Sequence, residues 1–316
     1  MNQKNIFEAT QFVLIFIVIS FFINLIYKNF IMASSVLTRV DQQFHASPSE
    51  IKYLILGDSH GQDDVDPQIL GDSFNFSSAG GSYIHSYYKL KYILDGHLKK
   101  IDTIILPLDM HSFASANLKP PLDSWYWIKY VDYLQLAQYS PNKIFYLYEF
   151  CRGIFFAYIS QRDSFLHFVK ADHAPRSIAG GFIPCDDVLS DDGTSTEAAE
   201  KRAGYHFKDG QLLDGVLMLY FDKIIDLCKK NNIKVVLVRF PVYKQYYQEV
   251  AKLVSNKNIE DIPQRVTRKY PDVIFKDFID LYFEKKSYFR DIDHLNTSGA
   301  KDFSKYLKDQ LTAREF

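Results

Sequence analysis

Three residues that lie far apart in the sequence have the chemistry of a nucleophilic acyl-transfer site. Ser59 closely follows the apolar run at residues 51–56 and a breaker glycine. Asp291 and His294 are three residues apart near the other end of the chain, so one turn of backbone can bring carboxylate and imidazole together. A serine becomes a nucleophile when a histidine takes its proton and a carboxylate orients the imidazole. We predict that Ser59, His294 and Asp291 form a catalytic triad, with Asp293 as the competing carboxylate.

The residues around Ser59 also permit a different chemistry. Gly57-Asp58-Ser59-His60-Gly61 resembles the metal-binding strand end of calcineurin-like metallophosphatases, in which the aspartate and the histidine would hold a metal. A binuclear phosphatase needs further ligands on later strand ends. Gly71-Asp72-Ser73-Phe74 lacks a second aspartate, and the sequence contains no Asn-His or His-x-His pair. We therefore expect no metal and no cofactor, and we expect His60 to be a solvated turn residue.

Donors for the oxyanion of acyl transfer are predicted in two other loops. Gly80 or Gly81, after the apolar patch at residues 74–76, can offer an unobstructed backbone N–H. His111 follows the apolar run at residues 101–108, and its imidazole N–H can donate; the alternative is a loop histidine bound to a nearby carbonyl. Arg239 and Trp125 are weaker candidates for substrate binding. Their alternatives are a salt bridge or helix cap for Arg239 and a place in the core for Trp125.

Apolar runs that alternate with helical patterns must position these residues. Runs of strand length occupy residues 51–56, 74–76, 101–108, 233–238 and 273–278, and helical spacing occupies residues 83–98, 212–229, 243–253, 262–269 and 298–311. This alternation predicts an α/β fold with a doubly wound, flavodoxin-like parallel sheet and helices on both faces. Ligands bind beyond the carboxyl ends of the strands in such sheets. Every candidate residue except Trp125 lies at or after a predicted strand end.

The N-terminal region predicts a membrane anchor. Residues 12–27 contain only Ser20 and Asn24 as polar interruptions. With the apolar residues at 30 and 31, the stretch is long enough to cross a hydrocarbon core of about 30 Å. A cleaved signal peptide would have a shorter apolar core and a better small-residue site than residues 32–35. We predict an anchor at 1–32, a linker at 33–50 and an α/β domain at 51–316 with an insertion at about 114–205. The domain is expected outside the cytoplasm, in the periplasm or at the cell surface.

Composition narrows the class of protein and of partner. The chain has 316 residues, of which 47% are hydrophobic and 24% charged, as in globular proteins that bury a sizeable core. A formal net charge of −1 without a basic stripe argues against nucleic acid as the main partner. Cys151, Cys185 and Cys228 show neither metal-ligand spacing nor a disulfide framework, so buried free thiols are expected. A Cys151–Cys185 bridge is the alternative in an oxidising compartment.

At these residues the chain resembles the SGNH/GDSL hydrolase superfamily. Gly57-Asp58-Ser59 matches its first block, whose serine is the nucleophile. Asn75-Phe76-Ser77-Ser78-Ala79-Gly80 is similar to its second block, whose glycine supplies an oxyanion N–H, and Asp291-Ile292-Asp293-His294 is similar to its last block, Asp-x-x-His. The third block, Gly-x-Asn-Asp, is not matched, because Asp109-Met110-His111-Ser112 puts a histidine in place of the oxyanion asparagine. The resemblance spans about residues 52–311.

One N-terminal anchor before such a domain with a long insertion is similar to the envelope-polymer O-acyltransferases, among them alginate O-acetyltransferase-like and teichoic-acid D-alanylation proteins. The resemblance implies a covalent ester on Ser59, a polysaccharide or other envelope glycan as acceptor, and a membrane-bound O-acyltransferase as acyl donor. Ester hydrolysis by the same site is the alternative to transfer, because whether a glycan or water accepts the acyl group depends on how the site excludes water. A non-catalytic membrane-anchored scaffold or glycan-binding module of the same fold is the alternative from another class.

Overall fold

The computed structural model describes residues 3–118, 124–139, 143–160, 178–194, 196–207, 212–254 and 256–313. The chain divides into two compact units. The helical unit contains Met1–Asp41 and Pro120–Arg176, and the sheet unit contains Gln42–Lys119 and Ser177–Phe316. All the candidate site residues except Trp125 belong to the sheet unit.

The sheet unit is built on five parallel strands in the order β2-β1-β3-β4-β5. The strands are β1 (Glu50–Ile55), β2 (Ser73–Asn75), β3 (Lys100–Pro107), β4 (Lys234–Arg239) and β5 (Ile274–Asp277). β1 pairs with β2 on one side and with β3 on the other. The carboxyl ends of β1 and β3 therefore border a topological switch point, where doubly wound sheets bind ligands. The predicted parallel sheet is confirmed.

Helices surround this sheet and also form the helical unit. In the described part of the chain they are α1 (Gln3–Phe30), α2 (Val36–Ala46), α3 (Ser59–Asp64), α4 (Pro67–Leu70), α5 (Tyr83–Asp95), α6 (Ser124–Trp127), α7 (Tyr133–Ala137), α8 (Lys143–Phe155), α9 (Ala157–Ser160), α10 (Thr196–Phe207), α11 (Gly215–Lys230), α12 (Lys244–Val254), α13 (Asn256–Lys269) and α14 (Thr297–Thr312). Short 3₁₀ turns lie at Met32–Ser34, Ser115–Asn117, Asp192–Thr194 and Lys286–Tyr288.

The core of the sheet unit follows from the alternation of apolar residues along the strands. Ile55 and Ile105 pack in one cluster with Phe303 of α14, which covers that face of the sheet. Leu54 and Ile104 are fully buried and point to the opposite face, because successive side chains of a strand alternate. Both faces are thus buried, which explains why the strands read as near-continuous apolar runs.

The first helix after β1 begins at Ser59 itself and ends at Asp64. The helical segment that begins at Lys143 is interrupted at Phe156, between α8 and α9. All three cysteines are free thiols, of which only Cys228 is buried.

The helical unit contains the longest helix of the described chain, α1. It is long and apolar enough to cross a membrane, and within it only Ser20, Asn24 and Tyr27 are buried. Within residues 12–26, the side chains other than Ser20 and Asn24 are exposed and apolar.

Candidate active site

Ser59 is the first residue of α3, where the chain turns from β1 into a helix. The carboxylate of Asp58 caps this helix by accepting a hydrogen bond from the N–H of His60 at 3.0 Å. Gly57 allows the turn, because its φ is +149° and a Cβ there would lie 2.4 Å from the Pro107 ring. Asp58 and His60 are buried, whereas Ser59 between them is not. Ser59 is therefore partly exposed, although its neighbours on both sides are buried.

The loop that carries Asp291 and His294 is fastened to α3. The N–H of Leu295 donates to Oδ1 of the buried Asp64 at 2.9 Å. Within the loop, Oδ1 of Asp291 accepts the backbone N–H of His294 at 2.9 Å and that of Asp293 at 3.1 Å. These local bonds fold the Asp-x-x-His segment so that carboxylate and imidazole lie on the same side of the loop.

The structure brings Ser59, His294 and Asp291 together. Nε2 of His294 lies 2.8 Å from Oγ of Ser59, and Nδ1 lies 2.9 Å from both carboxylate oxygens of Asp291. Asp293 is farther away, with Oδ1 3.5 Å from the same Nδ1. A neutral imidazole protonated on Nδ1 would donate to Asp291 and accept the serine proton at Nε2. This geometry can deprotonate Ser59 and stabilise the resulting imidazolium.

The turn that carries Gly80 is tied to the same helix. The side-chain oxygen of Gln62 in α3 accepts the N–H of Ala79 at 2.7 Å. Gly80 itself is exposed at a φ of +69°, a conformation that favours glycine. The next residue, Gly81, approaches the chain at Gly57 so closely that a Cβ would lie 2.6 Å from the Gly57 carbonyl oxygen. The role of Gly80 as an oxyanion donor stays a prediction.

His111 lies buried beside the cap of α3. Its Nε2 is 3.1 Å from Oδ2 of Asp58, and its ring stacks on that of His206 at 4.3 Å between centroids. Burial alone would raise the pKa of Asp58, but the hydrogen bond and charge of His111 hold that pKa well below its usual range. The observed contact thus stabilises the ionised carboxylate of Asp58, which caps α3, the helix that begins at Ser59. Donation by His111 to an oxyanion stays a prediction.

The expectation that His60 is solvated was wrong. His60 is 1% exposed, with Nδ1 3.0 Å from Oδ2 of Asp109 and Nε2 3.6 Å from Oδ2 of Asp293. Burial alone would lower the pKa of His60, but the charges of Asp109 and Asp293 raise it well above the ordinary value. The ring packs edge-on against His294 at 5.1 Å between centroids. The raised pKa favours a protonated His60 between these carboxylates, directly beneath the triad.

Asp293 has a second cationic partner, which sequence reasoning missed. Nε of Arg202 lies 2.9 Å from both carboxylate oxygens of Asp293, and Nη2 lies 2.8 Å from Oδ2. Burial alone would raise the pKa of Asp293, but His294, His60 and Arg202 together hold it well below its usual range. Asp293 thus stays ionised beside His294. The Asp-x-Asp-His sequence had already singled out Asp293 as the competing carboxylate beside His294. No pattern in the sequence around Arg202 indicated that this residue would pair with Asp293.

Two groups of buried side chains have the donors that a metal would use. They are His60 with Asp293 and His294, and His60 with Asp109 and His111; in each group the candidate ligand atoms lie within 4.8 Å of one another. In the first group a metal would compete for the imidazole that contacts Ser59, so metal binding and the triad exclude each other. In each group a carboxylate oxygen already lies close to a ring nitrogen of His60, at 3.0 Å for Asp109 and 3.6 Å for Asp293.

The two weaker candidates have partners of another kind. Arg239 is buried, and its guanidinium pairs with Asp277, Nε donating to Oδ1 at 2.8 Å, and with Glu260 at 3.2 Å. Trp125 belongs to the helical unit and is buried there, edge-on to Tyr126 at 5.8 Å between ring centroids. These contacts match the alternatives given for the two residues, a salt bridge for Arg239 and a place in the core for Trp125. Substrate binding by either residue stays a prediction.

The activity of such a site is expected to rise with pH through a pKa above 6.5. Burial alone would lower the pKa of His294, but the carboxylates of Asp293 and Asp291 outweigh burial and raise it. The general base must be neutral to take the Ser59 proton, so activity is lost as the pH falls through this raised pKa. Asp291→Asn removes one of the charges that raise the pKa of His294, so the midpoint of the pH–activity profile should shift to lower pH. We also expect kcat to fall by about 10⁴-fold, because asparagine no longer holds His294 in the tautomer protonated on Nδ1.

The measurement is kcat/KM for an acetyl ester between about pH 5 and pH 9, the range in which histidine titrates. Asp191→Asn is the matched control, since this fully exposed carboxylate pairs with the surface residue Lys286. A wild-type midpoint at or below 6.5, or no shift in Asp291→Asn, would contradict the assignment.

The comparisons with known proteins find likenesses among solved structures. No family model matches the chain. No curated protein matches it either. Among solved structures, the inhibitor-bound form of an aryl esterase from M. smegmatis is similar over 83% of this chain and 99% of that chain, with 12% identical residues and a TM-score of 0.35.

Proposed function

We propose that this chain is a membrane-anchored serine esterase or O-acyltransferase that works through an acyl ester on Ser59. The proposal is carried by the contacts of His294, whose Nε2 lies 2.8 Å from Ser59 Oγ and whose Nδ1 lies 2.9 Å from both oxygens of Asp291. A base within hydrogen-bond reach of a nucleophile, and itself oriented by a third group, is the arrangement that activates serine. The partial exposure of Ser59 is the second feature that supports the proposal.

In the proposed reaction, Ser59 Oγ attacks the carbonyl carbon of an acyl ester while its proton moves to Nε2 of His294. The tetrahedral intermediate expels the alcohol, which takes that proton, and an acyl-Ser59 ester is left. An acceptor hydroxyl then loses its proton to Nε2 and attacks the acyl carbon. The acyl group leaves on the acceptor, and Ser59 recovers its proton from His294. Water as acceptor gives hydrolysis, and a sugar hydroxyl gives transfer.

The acceptor in this proposal is a hydroxyl of a cell-envelope or secreted polysaccharide, and the acyl group is acetyl or a similar small group. Two features support this choice. Helix α1 is long and apolar enough to hold the chain at a membrane, where such polymers and a membrane-bound acyl donor occur. The side chain of Asp291 is 47% exposed, which leaves the triad open on the side of its loop to a bulky acceptor.

The test is turnover of a chromogenic acetyl ester by the full chain in detergent, with and without a deacetylated oligosaccharide. We expect release of the chromophore in both cases. Mass spectrometry of the oligosaccharide then separates transfer, which acetylates it, from hydrolysis, which yields acetate alone. No release above the buffer rate, together with no covalent labelling by a fluorophosphonate, would instead favour the non-catalytic scaffold. Protease accessibility in intact cells tests the proposed extracytoplasmic orientation.

A further inference from the structure

Helix α8 of the helical unit exposes an apolar face. This face, the α8 apolar face, consists of Ile144, Leu147 and Tyr148, all of which are more than half exposed. The only acidic residue of the helix, Glu149, is buried and pairs with Arg152 at 2.7 Å. The charged side chain that remains exposed is Lys143, at the very start of the helix. The charges of α8 are thus at its end or turned inwards, and its apolar side chains face outwards.

Helix α11 of the sheet unit shows the opposite pattern. In α11 the exposed side chains are Asp226, Lys229 and Lys230, whereas the apolar residues are buried or partly buried. That pattern is typical of a helix whose outer face meets water. The α8 apolar face therefore does not have the composition of a water-exposed surface, and something apolar is expected to cover it.

The covering is indicated by where α8 attaches to α1. Oδ1 of Asn24 accepts the N–H of Ala157 at 2.7 Å, and its Nδ2 donates to the carbonyl of Ile154. The ring of Phe155 lies edge-on to that of Phe21 at 6.3 Å between centroids. Asn24 thus satisfies the backbone groups at the break between α8 and α9. In hydrocarbon, non-helical backbone is tolerated only when its polar groups are satisfied by protein.

The position of these contacts along α1 shows how far the break between α8 and α9 lies from the C-terminal end of α1. Asn24 lies six residues before Phe30, the last residue of α1. At about 1.5 Å per residue, this places the contact about 9 Å inside that end of the helix. Phe21 lies deeper still. If α1 crosses the bilayer with its apolar run in the hydrocarbon, the C-terminal end of α8 must enter the same apolar layer.

We propose that the α8 apolar face is inserted in the lipid bilayer, so that the chain is held by a second membrane element besides α1. This inference rests on the membrane anchor in the proposed function. Ile144, Leu147 and Tyr148 would contact lipid, and Lys143, at the start of the helix, would extend its ammonium group to the surface. The occupant is lipid because the contacts with Asn24 and Phe21 attach α8 inside the apolar length of α1.

The experiment measures the environment of nitroxide labels on the full chain in phosphatidylcholine vesicles. The native cysteines are replaced by alanine, and single cysteines are introduced as Leu147→Cys or, as a second site on the same face, Ile144→Cys. Leu253→Cys on α12 is the matched control, because Leu253 is 53% exposed and Leu147 is 51% exposed. Leu14→Cys reports on α1. Collision rates with oxygen, which dissolves in lipid, are compared with those of a water-soluble nickel chelate, and a cooperative thermal transition shows that each labelled protein is folded.

We expect the labels at residues 144 and 147 to favour oxygen, as the label at 14 does, and the label at 253 to favour the nickel chelate. If position 14 is in lipid while 144 and 147 behave like 253, the inference is wrong and the anchor stands. If 14 is also in water, the anchor and the inference both fail. Labels at 144 and 147 that neither reagent reaches would show a protein partner in place of lipid. Fluorophosphonate labelling of the same samples tests the proposed chemistry independently.

Discussion

Replacing Ser59 by alanine is expected to abolish covalent labelling by a fluorophosphonate and to lower ester turnover by at least about 10⁴-fold. The reason is geometric, because Oγ of Ser59 is the hydroxyl that lies 2.8 Å from the base Nε2 of His294. Without it, water must attack the ester directly, helped only by substrate binding and oxyanion donors. Ser59 is partly exposed, but its hydroxyl is the partner of Nε2 of the buried His294, so the free energy of unfolding should fall by about 1 kcal/mol.

The control for Ser59→Ala is Ser190→Ala, which removes an exposed hydroxyl of the same unit. Ser190 accepts a hydrogen bond from the N–H of Gly193 at 3.0 Å and does not contact the triad. Its variant should keep labelling and turnover. If Ser59→Ala retains turnover within tenfold of wild type, or if the fluorophosphonate adduct maps to another serine, the nucleophile has been assigned wrongly.

The largest expected effect on stability comes from His60. His60→Ala removes the cation that lies between two buried carboxylates, Asp109 and Asp293. Breaking a buried ion pair by deleting one partner costs about 3–5 kcal/mol, because a buried charge is left uncompensated. Arg202 still pairs with Asp293, so the uncompensated carboxylate is Asp109. We expect a loss near the lower end of that range, measured by urea unfolding.

This stabilisation depends on pH in a direction that can be worked out. Folding raises the pKa of His60 well above the ordinary value of 6.5. The stabilisation is therefore fully present below about pH 6.5 and is lost as the pH rises through the higher pKa of the folded state. The difference in unfolding free energy between wild type and His60→Ala should be wider at about pH 6 than at about pH 9.

Two variants separate charge from packing. His60→Gln keeps a polar side chain but no charge, so it should lose nearly as much stability as His60→Ala. His45→Ala is the control, since His45 is an exposed histidine on α2.

A second readout of the His60 variants is the acid limb of the pH–activity profile. His60 lowers the pKa of His294, so either His60 variant should move the limb to higher pH. A His60→Gln protein as stable as wild type would show that the buried charge is not needed.

The sequence alone determined the features that arise from short-range patterns. Five apolar runs between helical patterns are sufficient to predict a parallel sheet, because a strand that is buried on both faces must be apolar throughout. The three-residue spacing of Asp291 and His294 is also local, since one turn of backbone closes it. The apolar length of α1 was evident for the same reason. In each case the relevant partners are a few residues away in the chain.

The tertiary structure alone decided which distant groups meet. The distance between Ser59 and His294, the burial of His60 and the pairing of Arg202 with Asp293 depend on loops that converge from several strand ends and from α10. His60 shows why sequence reasoning failed there. A histidine after a glycine turn looks solvated, but the turn points it under the triad, between carboxylates that lie 49 and 233 residues away along the chain. Electrostatic partners are set by distance in space, which a sequence pattern does not contain.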